Sequence, residues 1–179
     1  MKLITTLLAS LALVASATAG TETYSSKSAK TVVPPPVPVG CDCFAPGFAL
    51  GIFGAGILPD SEEDDALGGG VLAEYFFNEY IGVQGSYALF ATDSEHHEYD
   101  AALVLRYPIK SICVAPYVMG GAGYGANSDE NWNWFAGAGI EARIQSMNCL
   151  GIFADGAYHW GEDESGDFTI VRIGVKFPL

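Results

Sequence analysis

The chain has 179 residues, a formal net charge of −13 and only 16% charged residues, against the about 25% usual in soluble domains. That length suits a single domain. The acidity excludes nucleic acid as a partner, and strand-like alternation with 22 glycines leaves almost no helix beyond the N-terminus.

Residues 1–19 read as an export signal. Lys2 supplies the charged start, Leu3 to Val14 the apolar run, and Ala17-Thr18-Ala19 the small-residue cleavage motif. The run is too short to span a bilayer as a helix, and no later stretch is longer. Any membrane crossing must then use a closed β-barrel, which alone besides the helix satisfies its backbone in lipid. Residues 20–47 form a Pro/Ser-rich linker. Ser25, Ser26 and Ser28 precede Pro34, Pro35, Pro36 and Pro38, which favour an extended path. Cys41 and Cys43 close the linker, and Cys113 and Cys149 follow much later. An exported chain meets oxidising conditions. The expectation is that Cys41 and Cys43 clip the linker to the turns holding Cys113 and Cys149. A Cys113–Cys149 bridge and free thiols are the alternatives, and no His lies near these positions in sequence to make a metal site with them.

From Phe48 onward apolar and polar residues alternate in twos, the period of a strand. Eight strands are expected, at 48–58, 67–77, 81–92, 99–109, 114–126, 133–145, 150–161 and 167–179. Each is near the ~9–11 residues that cross a bilayer at a tilt. Connections alternate in kind. Short turns lie at Asn78-Glu79-Tyr80, Lys110 to Cys113 and Ser146 to Cys149. Longer polar loops lie at Pro59 to Ala66, Asp93 to Glu98, Asn127 to Trp132 and Glu162 to Gly166. The fourth strand shows the lipid face best, with Tyr99, Ala101, Leu103, Leu105 and Tyr107 in alternation. The first and fifth are rich in glycine, which leaves their phase open. Pro108 and Pro116 belong at strand ends, because proline cannot donate to a ladder.

The opposite faces carry Glu74, Gln84, Arg106, Glu141, Arg143, Asp155, Arg172 and Lys176. At middle depth, Glu74, Glu141 and Asp155 stand against Arg106, Arg143 and Arg172. Charges in a narrow interior must pair, and the arginine fork serves two carboxylates at once. Eight strands leave room for side chains and not for an open channel. The long connections and their flanks hold fifteen of the 21 acids and no Lys or Arg. Glu62, Glu63, Asp64 and Asp65 offer weak capture of divalent cations, but no cofactor and no built metal site are expected. His96 and His97 are expected in an exposed loop. His159, with Asp155 four residues before it and Ser86, Ser94 or Ser165 as hydroxyls, supplies parts of a hydrolytic site at the outer rim. No nucleophile motif accompanies them, so no catalytic residue is assigned.

In the last strand Val171, Ile173, Val175, Phe177 and Leu179 share one face, and Arg172, Gly174 and Lys176 the other. Arg172, Gly174, Phe177 and Leu179 resemble the C-terminal assembly signal of bacterial outer-membrane barrels, with Leu where Phe is usual. Together with the pattern over 48–179, the chain resembles the small eight-stranded outer-membrane barrels of the OmpA/OmpX type. The resemblance implies an all-β fold, a closed eight-stranded antiparallel up-and-down transmembrane β-barrel. It implies the outer membrane of a Gram-negative-type bacterium, insertion by the barrel-assembly machinery and a surround of outer-membrane lipid. The even strand count puts both termini on the periplasmic side. The function implied is that of a structural or surface-interaction barrel, whose partners would be an external surface ligand or divalent cations. A lipid-modifying hydrolase or acyltransferase and a soluble periplasmic ligand-binding barrel are the alternatives.

Overall fold

The computed structural model describes residues 40–60, 65–91, 96–126, 130–161 and 167–179. The expected leader, the linker as far as Val39, the acids Glu62, Glu63 and Asp64, and Ser94 and Ser165 lie outside the described residues; Asp65 is exposed. Eight strands follow in order: β1 (Gly47–Pro59), β2 (Ala66–Phe76), β3 (Ile81–Phe90), β4 (His96–Arg106), β5 (Val114–Ala126), β6 (Glu130–Ile144), β7 (Leu150–Gly161) and β8 (Phe168–Pro178). Each pairs antiparallel with the next, and β8 returns to β1, closing an up-and-down barrel. Closure leaves no strand edge with unpaired N–H and C=O groups, the condition for a sheet in hydrocarbon. One end of the barrel, the turn end, carries the connections 77–80, 107–113 and 145–149, and the other, the loop end, carries 60–65, 91–95, 127–129 and 162–167; against expectation the loop-end connections are no longer than those at the turn end.

Alternation decides which residues face out. Leu50, Ile52, Val71, Val83, Leu103, Leu105, Val118, Ile140, Ile152, Val171 and Ile173 are all exposed on the outer surface. Aromatics bracket this aliphatic band. At the turn end stand Phe48, Tyr75, Phe77, Tyr107 and Phe177. At the loop end a chain of rings runs from strand to strand, with centroids 5.0 Å apart for Tyr87–Tyr99, 6.5 Å for Tyr99–Tyr124 and 5.2 Å for Tyr124–Trp132. Amphipathic rings at two levels with aliphatics between suit the two interfaces of a bilayer. An outward face of this kind would be unstable in water, which removes the soluble-barrel alternative. The glycine-rich strands also have a definite phase: β1 turns Ala49, Phe53, Ala55 and Ile57 inward, and β5 turns Tyr117 and Met119 inward. Glycine answers close backbone approach in two places. A Cβ at Gly121 would collide with the Ala101 carbonyl on β4, and one at Gly174 with the Ile52 carbonyl on β1.

Four strand ends differ from those expected by two residues or more. β4 runs from His96 to Arg106 rather than over 99–109. Beyond Arg106 the chain leaves the regular ladder: Pro108 has no N–H to give, and Ile109 makes only an isolated bridge to Val114. At the other end the polar residues His96 to Glu98 pair in register with Phe90 to Ala88 of β3. His96 and His97 are therefore strand residues and not part of an exposed loop. His97 lies on the outer face, its Nδ1 2.9 Å from the Tyr87 hydroxyl. β6 begins at Glu130 and β3 ends at Phe90. Pro116 is the third residue of β5, at the turn end and facing outward.

The turns close by local chemistry. Asn78 Oδ1 accepts from the backbone N–H groups of Tyr80 and Ile81, each at 2.8 Å, an Asx turn that caps the β2–β3 hairpin. The β6–β7 connection is a single 3-10 turn at Gln145–Met147. Cys113, Asn148 and Cys149 have φ of 55°, 53° and 58°, a left-handed conformation that L-residues with a Cβ seldom adopt.

Leu103 sits halfway between Tyr99 and Tyr107 on the outer face of β4. Leu103→Arg is expected to lower the unfolding free energy in phospholipid vesicles by about 2–4 kcal/mol, measured by denaturant titration. The same change at Tyr107, near the interface, should cost about 0–1 kcal/mol. Equal losses at the two positions would contradict the depth assigned to them.

Candidate functional site

The lumen is filled by three polar layers, and their spacing follows from which inward positions of neighbouring strands share a level. The layer nearest the turns joins β2, β6 and β8. Lys176 Nζ donates to Glu74 Oε2 at 2.7 Å and to Glu141 Oε2 at 3.0 Å. Arg143 donates to Glu141 through Nε, lies 3.5 Å from Glu74 Oε1 through Nη2, and gives Nη1 to the Cys149 carbonyl at 3.1 Å. Lys176 is only 1% exposed. Its ammonium also rests 4.9 Å from the Phe153 ring and 5.3 Å from the Tyr117 ring. Two acids against two cations, all buried, form a closed set.

The middle layer is centred on Asp155 of β7. Arg172 meets it as a fork, Nε to Oδ1 at 2.8 Å and Nη2 to Oδ2 at 3.1 Å, the bidentate geometry that suits guanidinium and carboxylate. Tyr117 donates its hydroxyl to Asp155 Oδ2 at 2.6 Å. The remaining Arg172 donors reach Ser86 Oγ at 3.1 Å and Gln84 Oε1 at 3.2 Å on β3.

Arg106 does not join these ion pairs, although the sequence pairs it with the lumenal acids. As the last residue of β4 its head lies at the turn end. It donates to the carbonyls of Glu79 at 2.9 Å and Phe44 at 3.0 Å, and stacks over the Phe76 ring at 3.5 Å. Lys176 takes its place in the network. Nearby, Lys110 bonds Glu79 at 2.7 Å, and that hydrogen bond raises the lysine pKa above its ordinary value.

The turn end is stoppered by the segment before β1. Disulfides join Cys41 to Cys113 and Cys43 to Cys149, with no free cysteine among the described residues. The clip thus takes the form of two crosslinks from the linker to two different turns, and the Cys113–Cys149 and free-thiol alternatives fall away. Phe44, 1% exposed, packs with Cys41, Cys43 and Ala115. A pocket of roughly 320 Å³ remains beside it, with Asp42, Glu74, Arg106, Arg143 and Leu179 among its lining.

The third layer, at the loop end, is made by residues that read as loop acids. Because β4 starts early, Glu98 and Asp100 point into the lumen instead of lying on the outer rim, and Glu98 has no exposed surface. Asn133 Nδ2 donates to Glu98 Oε1 at 2.8 Å, and His96 Nε2 lies 3.3 Å from Glu98 Oε2. Ser86 donates to Asp100 Oδ2 at 3.1 Å. His159 is 1% exposed, with Nδ1 at 2.9 Å from Asn133 Oδ1. Its ring is stacked between Phe135 at 4.8 Å and Phe168 at 4.6 Å. It is a packed, hydrogen-bonded lumenal residue, as its inward phase requires. Asp155, the acid expected to orient it, is committed to Arg172, and Ser86 to Asp100 and Arg172. The sequence signal for this layer was present in the parity of Glu98, Asp100 and Ala102, but it was hidden by the loop-like polarity of His96 to Asp100.

A search of curated proteins finds no match. Solved structures do resemble it. Neisserial surface protein A superposes with a TM-score of 0.63 at 12% identity, over 74% of this chain and 97% of that one. The N-terminal β-barrel domain of Pseudomonas aeruginosa OprF gives 0.53 at 15% identity, over 74% and 99%. Ail, the attachment invasion locus protein of Yersinia pestis, gives 0.51 at 18% identity, over 74% and 97%. At such identities the likeness establishes the fold alone. The family model described as outer membrane protein beta-barrel domain matches residues 5–177. With closure, an outward aliphatic band and a polar lumen already in view, that match makes the chain a member of the outer-membrane β-barrel domain family, which resides in the outer membrane of Gram-negative bacteria.

Proposed function

We propose that this barrel serves as a structural or surface-interaction protein of the outer membrane and does not conduct solutes. The observation that carries this reading is the layer of Glu74, Lys176, Glu141 and Arg143, which crosses the lumen from β2 to β6 and β8 with every charge matched. A filled lumen leaves the loop end as the surface available to a partner. In this reading the loop end faces outward, and the turn end, the linker and the C-terminus face the periplasm, with residues 1–19 removed on export. Besides the lumenal Glu98 and Asp100, thirteen acids lie in and beside the loops with no Lys or Arg among them, which suits a cationic or cation-bridged partner. Ail has been crystallised with the heparin analogue sucrose octasulfate; the acid-rich loops here oppose such a polyanion.

The reading has direct tests. Reconstituted in planar bilayers, the protein should give no discrete current steps, and steps of porin size would sink it. An epitope inserted between Asp64 and Asp65 should be reached by antibody on intact cells, and one at Lys30 only after permeabilisation. The reverse pattern would invert the orientation. On immobilised heparin at about 0.15 M salt, where charges are screened beyond ~8 Å, nanodisc-embedded protein should pass unretained; retention would overturn the partner class.

The matched layer also predicts a stability effect. Lys176→Met keeps much of the side-chain volume but leaves Glu74 and Glu141 with Arg143 as their one shared cation in the layer. Denaturant titration should show a loss of about 3–5 kcal/mol. Adding Glu74→Gln to that variant should restore part of the loss. A Lys176→Met barrel as stable as the wild type would show that the layer does not hold the lumen together.

A further inference from the structure

The two lower layers of the lumen balance their charge, and the loop-end layer does not. Glu98 and Asp100 project inward from β4. The described side chains bonded to them are Asn133, His96 and Ser86, and none carries a fixed positive charge. Arg172 is hydrogen-bonded to Asp100 only through Ser86, and although its charge acts on Asp100, its Nε and Nη2 are held by Asp155. A fully buried carboxylate and a half-buried one side by side, with no cation bonded to either, are costly. Either a proton or a metal ion must offset them.

Three observations favour the metal. One oxygen from each of Glu98 and Asp100 and one ring nitrogen of His159 lie within 4.8 Å of one another, a spread that side-chain rotation closes onto an ion with ligand bonds of about 2.0–2.2 Å. Asp100 Oδ1 is buried with no hydrogen-bond partner, an orphan acceptor of the kind that calls for an explanation. Beside them on the neighbouring strand β5 is Gly123, in register with both Asp100 and Asn133. A Cβ there would meet Glu98 Oε1 at 2.6 Å and Asp100 Oδ1 at 2.8 Å, and would overlap Asn133 Oδ1. Glycine thus keeps open a cleft bounded by the ligand oxygens.

The surrounding groups orient the ligands. With Asn133 Nδ2 on Glu98, its Oδ1 takes the Nδ1–H of His159, which leaves Nε2 as the basic nitrogen of the ring. The flanking rings of Phe135 and Phe168 fix the imidazole plane. We propose that Glu98, Asp100 and His159 form a binding site for a divalent first-row transition metal of the zinc type. One imidazole with two carboxylates suits such an ion, with a fourth position for water, whereas Ca²⁺ takes six to eight oxygens. The ion would tie β4 to β7, two walls with β5 and β6 between them, and would pin the loop end as the disulfides pin the turn end.

The test uses the full chain, refolded in detergent, shown folded by heat-modifiable gel mobility, and stripped with EDTA. Titration with ZnCl₂ should show one ion per barrel by calorimetry and a raised thermal midpoint, and Co²⁺ should give visible d–d absorption. Ca²⁺ and Mg²⁺ at the same concentration should give neither heat nor shift. Asp100→Asn and His159→Gln should each weaken zinc binding at least tenfold. Asp100→Asn should also raise the midpoint in EDTA, because it removes a buried charge, so its loss of binding cannot be ascribed to unfolding. The proposal is overturned if folded wild-type protein takes up no zinc. It is equally overturned if the Glu98→Gln, Asp100→Asn, His159→Gln triple variant binds zinc as tightly as the wild type, since the ion would then lie elsewhere.

Discussion

An ammonium enclosed by eight strands has almost no water to turn to, and so Lys176 must be met by Glu74 and Glu141 at hydrogen-bonding distance. The same contact sets the register of the sheet. Glu74 comes from β2, Glu141 and Arg143 from β6, and the lysine from β8. Slipping β8 by one residue would turn Lys176 and Arg172 toward lipid and bring Val175 and Ile173 into the lumen, because side-chain direction reverses with each residue. A cation at the bilayer midplane costs about 2–4 kcal/mol, and the abandoned acids add their own penalty. Outer hydrophobicity and inner pairing therefore reject the same set of misregistered barrels, each from its own side.

The turn end obeys a different logic, since pairing alone does not stop a chain from fraying where strands finish. Cys113, Asn148 and Cys149 all occupy left-handed backbone, at roughly 1–2 kcal/mol per residue. Such conformations persist where neighbouring structure over-determines them. Here Cys113 and Cys149 are bridged to Cys41 and Cys43, across sequence separations of 72 and 106 residues. The bridges hold Phe44 beneath the barrel, where its ring and carbonyl receive Arg106. That is why Arg106 is absent from the acid network: it stands one layer too low and is already occupied. Stopper and network share the work of filling the lumen, one covalently and one electrostatically.

How much of this could be read beforehand depended on whether period or depth was being asked for. Period was legible. Leu103, Ile140, Ile152 and Ile173 face outward as their alternation requires, and the counting of turns against loops yields eight strands. Depth was not legible, because a tilted, staggered barrel places equal sequence positions at unequal heights. Arg106 and Lys176 share an inward phase, yet only the register shows that the lysine stands level with Glu74. The start of β4 was concealed by polarity. His96, Glu98 and Asp100 resemble a loop to any reading that takes charge as a sign of solvent, whereas inside a barrel the alternate positions of a strand are expected to be polar. The cysteine partners could be placed at one end by topology, but choosing among pairings required the positions of the turns themselves.

Charge is sorted along the barrel axis, and the sorting bears on how the loop-end carboxylates are neutralised. Between residues 40 and 179 the Lys and Arg residues are Arg106, Lys110, Arg143, Arg172 and Lys176, and all sit at the turn end or in the middle of the barrel. The acids concentrate toward the loops. No fixed cation therefore bonds Glu98 or Asp100 directly among the described residues, and Arg172, whose charge acts on Asp100, is already engaged by Asp155. Compensation has to come from solution. The Glu74–Lys176–Glu141–Arg143 layer stands between this site and the turn end, whereas on the loop side thirteen further acids in and beside the loops raise the local concentration of cations and protons alike. The charge-matched turn end and the acidic loop end are thus two halves of one electrostatic arrangement, in which the carboxylates without a bonded cation lie on the side that attracts positive charge.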